Sequence, residues 1–449
     1  MPDTPAPAGT DTTGGGVTVA DDPHRRRYLR KVALTSSAGA IVEWYDFFLY
    51  AAAASIVFDK LFFPSLDPTA GLLASLATYA VGFVSRPIGA LLFGNLGDRV
   101  GRKSMLVWTM AIMGGGTFLI GCLPGYDTIG VAAPILLIVL RVAQGLGLGG
   151  EYGGAVLMVV ENAPDRRRGF YGSLVQIGVP AGIILSSAAM AVVTSLDEDV
   201  LLSWAWRVPF LLSALIIIPA VVIRSQLHET RFFRAARDSA ASRRAPMAEV
   251  VTKWWGTSLK VVGARIAESA NLFIFATFPA TFIGSFTDIP HPESVVLTGS
   301  LIGAVLSLAL LPACATLSDR IGRKPVYLAG AAVMAVDGLI FFELVKTGSA
   351  PMIWLGTIIA YVAMSLMYGP QAAYFSELFP TNIRYSGVSL GQQFGGVLGG
   401  SLAPIIVVSL LNVAGEGVYW PVVAYIVGIA AITALSVLLL PETRRRKLG

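Results

Sequence analysis

The sequence predicts an all-α membrane protein, with twelve transmembrane helices in two pseudo-symmetric bundles of six. Three observations predict it. Hydrophobic residues make up 55% of the 449 and charged residues only 14%, where a soluble domain carries about 25% charged. At about 20 residues per span, twelve helices need about 240 residues; 55% of 449 is about 247, so the apolar material must lie almost wholly in lipid. A charged loop motif occurs twice, 221 positions apart, and the basic residues crowd one set of loops.

In chain order, residues 1–30 are rich in Pro, Gly, Thr and Asp and too poor in apolar side chains to fold, so a disordered cytoplasmic tail is expected. Arg25 to Lys31 resembles a twin-arginine export signal, but the apolar stretch after it is short and the chain runs on as one helix through Glu43, Trp44 and Asp46. The arginines are therefore read as a cytoplasmic anchor. Apolar stretches over 32–57, 70–93, 105–123, 134–159, 170–194 and 203–223 form the first bundle, 31–224. A polar interruption at 225–256, with Arg231, Arg234, Arg237, Arg243 and Arg244, reads as a solvated, partly helical cytoplasmic linker beside anionic lipid. Helices over 257–284, 295–317, 325–345, 351–374, 386–411 and 419–440 form the second bundle, 257–440. A cytoplasmic tail over 441–449 follows.

The basic residues set the orientation. Of 33 Lys and Arg, four (Arg86, Arg141, Arg207 and Arg265) lie within or at the edge of helices, and only Lys60 and Lys346 fall on the expected outer side. All others lie in the tails, the even-to-odd loops and the linker, which places both termini in the cytoplasm.

Other chemistries lack residues. The three histidines, His24, His228 and His291, lie in the tail or loops, so neither a histidine metal site nor an intramembrane histidine relay is expected. Cys122 and Cys314 fall near opposite membrane faces and read as packing thiols. Gly145, Gly147 and Gly150 satisfy a dinucleotide-binding spacing, but no strand precedes them. They are read as helix-packing positions, as are Gly391, Gly395 and Gly399. No nucleic acid, obligate protein partner or cofactor is expected.

The repeated motif is Gly94-Asn-Leu-Gly-Asp98-Arg99-Val-Gly101-Arg102-Lys103 after the second helix and Ala315-Thr-Leu-Ser-Asp319-Arg320-Ile-Gly322-Arg323-Lys324 after the eighth. One constant offset in equivalent loops signals internal duplication. The glycines permit a sharp turn. The aspartate can hold the positive N-terminal end of a neighbouring helix, or nearby arginines, in one conformation and release it in another. A merely basic turn would explain neither Asp98 nor the glycine spacing, so Gly94, Asp98, Arg99, Gly101, Arg102, Asp319, Arg320, Gly322 and Arg323 are read as a cytoplasmic gate.

These loops resemble the signature of the major facilitator superfamily, and the likeness covers nearly the whole chain. Glu43-Trp-Tyr-Asp-Phe47, the Arg141-x-x-Gln144-Gly-x-Gly-x-Gly-Gly-Glu151 helix and Glu377-Leu-Phe-Pro380-Thr-x-x-Arg384 are similar to its metabolite:proton symporters, which carry shikimate, 2-oxoglutarate, citrate or proline/betaine. Arg265-x-x-Glu268 and Trp204-x-Trp206-Arg207-x-Pro209-Phe210 most resemble the shikimate-type branch. The likeness implies the major facilitator fold and plasma-membrane symport of a small organic acid or zwitterion with H+ by alternating access, driven by the proton gradient without a cofactor. A proton-driven exporter, for which Gly178, Pro180 and Gly182 only loosely fit the usual motif, and a non-transporting sensor are the alternatives.

An intramembrane charge costs several kcal/mol unless paired or wet, so each is a candidate. Glu43 and Asp46 share a face of the first helix, with Asp46 the first choice for proton coupling and Glu43 the second. A fixed ion pair is the competing reading, at even odds. Arg141 resembles the superfamily's fourth-helix arginine linked to coupling; Glu151, about 15 Å along the helix, lies too far to neutralise it. The expected proton-coupling set is Asp46, Glu43, Arg141 and Glu151. The expected solute set is Arg141, Gln144, Tyr45, Arg265 and Glu268, with Arg265 either receiving a carboxylate or already satisfied by Glu268. Asp337 and Glu343 rank lower, and Arg86, beside Pro87, either lines the cavity or braces the kink, with the brace preferred.

Overall fold

A computed structural model describes residues 23–225, 246–277, 292–415 and 418–448. Its long helices are α1 (Pro23–Ile56), α2 (Pro68–Val100), α3 (Arg102–Cys122), α4 (Ala132–Val160), α5 (Arg168–Gln176 continued by Gly178–Thr194) and α6 (Arg207–Ser225). The second set is α7 (Trp255–Leu272), α8 (Pro292–Ile321), α9 (Arg323–Lys346), α10 (Ala350–Leu378), α11 (Arg384–Gly396, a π turn, then Leu402–Ala414) and α12 (Trp420–Leu439). Among the described residues there is no strand.

Nine of these helices are long and apolar enough to cross a membrane, ten if the bent pair Glu198–Ala205 and Arg207–Val222 forms one span. The remaining two, α1 and α7, carry Glu43 and Asp46, and Arg265 and Glu268. With these two the set fits twelve spans.

Small residues set how closely the helices pack. A Cβ on Gly89 would lie 2.0 Å from the Leu146 carbonyl oxygen, and one on Gly145 2.3 Å from that of Gly82, so α2 and α4 touch backbone to backbone. Gly391, Gly395 and Gly399 do the same for α11 against Val261, Arg265 and Ile266 of α7. The packing role expected of both glycine runs is what the structure has. The two halves meet chiefly through α2 against α11 and α5 against α8 and α10.

Of the expected disordered tail, 1–22 lies outside the described residues, and 23–30 differs from that reading. Helix α1 starts at Pro23, so 23–30 are helical; Arg and Lys are good helix formers, and Leu29 and Val32 are buried against the bundle. At the other end 441–448 is pinned to the protein, with Leu448 in the main apolar core. Of the linker, Pro246–Thr252 is helical and 226–245 lies outside the described residues.

Candidate functional site

Asp46 and Arg141 lie on α1 and α4, both nearly fully buried, and two neutral side chains join them. Thr117 on α3 donates its hydroxyl to Asp46 Oδ2 at 2.8 Å. Gln144 Nε2 donates to Thr117 Oγ1 at 2.7 Å, and Arg141 Nη1 donates to Gln144 Oε1 at 3.3 Å. The Arg141 guanidinium lies 4.0 Å from the Tyr50 ring centre and 5.3 Å from that of Tyr79. Gly82 and Gly116 make the room: a Cβ on either would sit 2.6 Å from Arg141 Nε or Gln144 Cγ. Asp46 Oδ1 and Arg141 Nε and Nη2 remain buried without a hydrogen-bond partner. Such a chain holds a carboxylate and a guanidinium apart yet in communication, so protonating Asp46 alters what Arg141 feels. Glu151 is also buried on α4 and acts on Asp46 as a second negative group.

Between the halves lies a narrow chamber lined by side chains of both. Its charged lining is Glu43, Arg86, Arg265 and Glu268; Trp44, Phe83, Tyr152, Phe273 and Tyr368 form aromatic walls, and Ser269, Gln392 and Gln393 add neutral polar atoms. Arg265 and Glu268 form an ion pair on one face of α7, and Arg265 lies 5.4 Å from the Tyr368 ring centre. Of the expected solute residues, only these two reach the chamber. Arg141 and Gln144 belong to the Asp46 network. Tyr45 turns away to donate to the Pro209 carbonyl at 3.0 Å, tying α1 to α6. Arg86, expected as a brace, instead lines the chamber, because its helix face turns inward beside Phe83.

At the end of the molecule where α1 begins and the segment 441–448 lies, the halves are clasped. Asp319 accepts the backbone N–H of Gly169 and of Phe170, both at 2.9 Å, at the start of α5 in the other half. That is the helix N-terminus contact expected of the motif aspartate. Arg323, fully buried, bonds Asp319 at 2.7 Å, Ser318 at 2.8 Å and Glu377 at 3.1 and 3.3 Å. Gly101 (φ 131°) and Gly322 (φ 120°) occupy the same left-handed position in the two loops, where a Cβ would be strained. Gly94 lets α2 approach Ser386 of α11, a Cβ there lying 3.3 Å from its Cα. Arg320 is exposed and outside this network. The side chains of Asp98, Arg99 and Arg102 lie outside the described residues.

The C-terminal strap completes the clasp. Glu442 accepts the backbone N–H groups of Arg323, Lys324, Thr443 and Arg444. Burial alone would push its carboxyl up, but these four bonds outweigh it and hold the group below the usual carboxylate range. Thr443 donates to Glu377 at 2.6 Å, Arg444 to the Asp319 carbonyl at 2.9 Å, and Arg168 of α5 donates to the Arg446 carbonyl at 2.7 Å.

A second repeat escaped the sequence reading. Tyr152-Gly153, Glu161, Pro164, Arg168 and Gln176 recur as Tyr368-Gly369, Glu377, Pro380, Arg384 and Gln392, each 216 positions later. Its ionic members cross over. Glu161 pairs with Arg384 of the other half at 2.7 Å, and Glu377 lies 3.9 Å from Arg168. Both its tyrosines line the chamber, and Gln176 donates to the Tyr368 carbonyl at 3.0 Å. A self-comparison at offset 216 would have found it.

The comparison with known proteins bears directly on this arrangement. A family model described as Major Facilitator Superfamily matches residues 37–384 and 273–449. The chain belongs to that superfamily. Within it, the chain is a metabolite-type transporter of the multi-pass membrane class, a secondary transporter rather than an enzyme. It is 37% identical to the Shikimate transporter of Escherichia coli (strain K12), over 93% of this chain and 95% of that one. It is 36% identical, with the same coverage, to the Inner membrane metabolite transport protein YhjE of that strain. Its Proline/betaine transporter is 33% identical over 93% of this chain and 85% of that one. Among solved structures, the proton:xylose symporter XylE bound to 6-bromo-6-deoxy-D-glucose superposes with a TM-score of 0.76 at 15% identity, covering 94% and 98% of the two chains. That likeness concerns the fold.

Proposed function

We propose that this transporter carries a small organic acid or zwitterion together with protons, with the chamber between the halves as the solute site and Asp46 as the proton-linked carboxylate. The observation that carries the reading is the bond network of Asp46. One oxygen is held by Thr117, the other is unpartnered, and Arg141 is reached only through Gln144. A fixed ion pair would close both charges directly, whereas this arrangement leaves room for a proton. The paired charges and aromatic walls of the chamber suit a solute with a carboxylate and an apolar or ring body. The names of the 37% and 33% identical relatives, a shikimate and a proline/betaine transporter, support that solute class.

In this reading the clasped, basic end faces the cytoplasm with both termini. The solute enters from the other side, and the clasp opens as the two bundles rock about the chamber. The proton gradient supplies the energy and no cofactor takes part. The test is uptake into proteoliposomes of shikimate, 2-oxoglutarate, citrate, proline and betaine under an imposed pH gradient. Uptake of one of them that rises with an inward proton gradient, and loses that response in Asp46→Asn, is expected. Uptake indifferent to the gradient in the wild type would remove the coupling.

A further inference from the structure

We propose that Arg86 receives the carboxylate of the transported solute. This rests on the chamber being the solute site. Three arginines lie near the molecule's centre, and their surroundings differ. Arg141 is enclosed by Tyr50, Tyr79 and the Gln144 bond and does not line the chamber. Arg265 lines it, but its charge is already closed by Glu268, one turn along the same helix.

Arg86 lines the chamber from α2, with its guanidinium carbon 4.5 Å from the Phe47 ring centre and 4.4 Å from that of Phe83. Those two rings meet at 84°, so the guanidinium sits in a corner that fixes its plane. The residue is 7% exposed, and its Nε is buried without an acceptor. A planar donor fork, pre-oriented by aromatic faces and short of an acceptor, is built for a carboxylate. Held this way, it gives up little side-chain freedom on binding.

The charge balance points the same way. Glu43, Arg86, Arg265 and Glu268 sum to zero. With Arg265 and Glu268 closed on each other, the remaining cation for an incoming anion is Arg86, whose charge is offset at a distance by that of Glu43. A zwitterion would therefore lay its carboxylate on Arg86 and its cationic end toward Glu43.

The experiment is calorimetric binding to purified wild type, Arg86→Gln, Arg86→Lys and Arg265→Gln. The probes are shikimate and proline, with methyl shikimate and prolinamide as their uncharged-carboxyl counterparts. Shikimate or proline should bind Arg86→Gln at least about tenfold more weakly than wild type, and Arg86→Lys in between. The ester or amide should bind all four proteins alike, which shows that the variant still folds its chamber. Equal carboxylate binding by wild type and Arg86→Gln would overturn the assignment and leave the transport reading standing. So would a carboxylate-selective loss confined to Arg265→Gln. If neither acid binds the wild type, the assignment falls together with the proposed solute class.

Discussion

The two halves descend from one repeat but treat their central charges in opposite ways. In the C-terminal half Arg265 and Glu268 sit three residues apart on one helix and neutralise each other in place. At the corresponding positions of the N-terminal half, 222 residues earlier, stand Glu43 and Asp46. The cation there, Arg141, is on another helix, and Thr117 from a third helix completes the link. A pair on one helix survives when helices shift against one another; a chain drawn from three helices does not. The difference teaches that the N-terminal half is built to have its charge balance altered by motion or by a proton, and the C-terminal half to keep it.

That contrast can be broken by substitution. The largest effect is expected for Arg141→Ala, which strands the buried Asp46 link. With the cation at the far end of the Asp46–Thr117–Gln144 relay gone, proton-driven uptake should fall about a hundredfold or more. Arg207→Ala is the comparison: that arginine bonds the Ser203 and Leu123 carbonyls and lies over the Trp206 ring, and uptake should change by less than about threefold. Equal and mild losses would count against a central role for Arg141.

Next comes the C-terminal pair. Glu268→Gln alone leaves Arg265 unbalanced and should lower uptake about tenfold, while Arg265→Gln with Glu268→Gln together should recover part of it. The number of protons moved per solute should stay unchanged in the double variant. A changed stoichiometry would erase the distinction between the halves.

Asp319→Asn keeps the shape of the clasp but weakens two charge-assisted bonds to α5, and transport should slow by about tenfold with normal amounts of protein in the membrane. Thr117→Val leaves Asp46 and Arg141 in place and removes only the bridge. About a fivefold loss is expected, the worth of a single bond of roughly 1 kcal/mol, together with an altered pH dependence of uptake. An unaltered pH profile would show that the bridge is structural.

The smallest effect concerns the strap. Because the folded-state pKa of Glu442 is lowered, its stabilisation is fully present above its unfolded value, about 4.3. It is lost as pH falls through the lower folded value. A spin label at Leu448→Cys, in protein lacking Cys122 and Cys314, should be immobile near pH 6 and loosen only in stronger acid. In Glu442→Gln it should be loose throughout.

The helices and the first repeat were legible in sequence because hydropathy and a constant offset are one-dimensional signals. The placement of Asp319 at the α5 start was legible too, since the motif pairs an acid with a glycine turn. Thr117 was not: a lone threonine in an apolar helix gives no sign until α3 lies beside α1. For Arg86 the sequence offered both the cavity and a brace, and Pro87 tilted the preference to the brace, a local cue that says nothing of which way the helix face turns. Tyr45, read as a solute contact beside Glu43 and Asp46, lies one residue round the helix and faces α6 instead. The second repeat was missed because its offset, 216, differs from the 221 of the loops, so the two never fall on one diagonal.

The strap also bears on the order of assembly. Glu442, Thr443 and Arg444 leave the ribosome after every helix they bind, and domains fold largely in the order they are made. The bundles can therefore insert and pack before their shared end is fastened, and the nascent transporter stays loose at that end until residues 442–446 arrive. A chain cut after Pro441 should insert in normal amounts yet be nicked by protease near Arg168. Protection equal to that of the full chain would show that the helices close that end unaided.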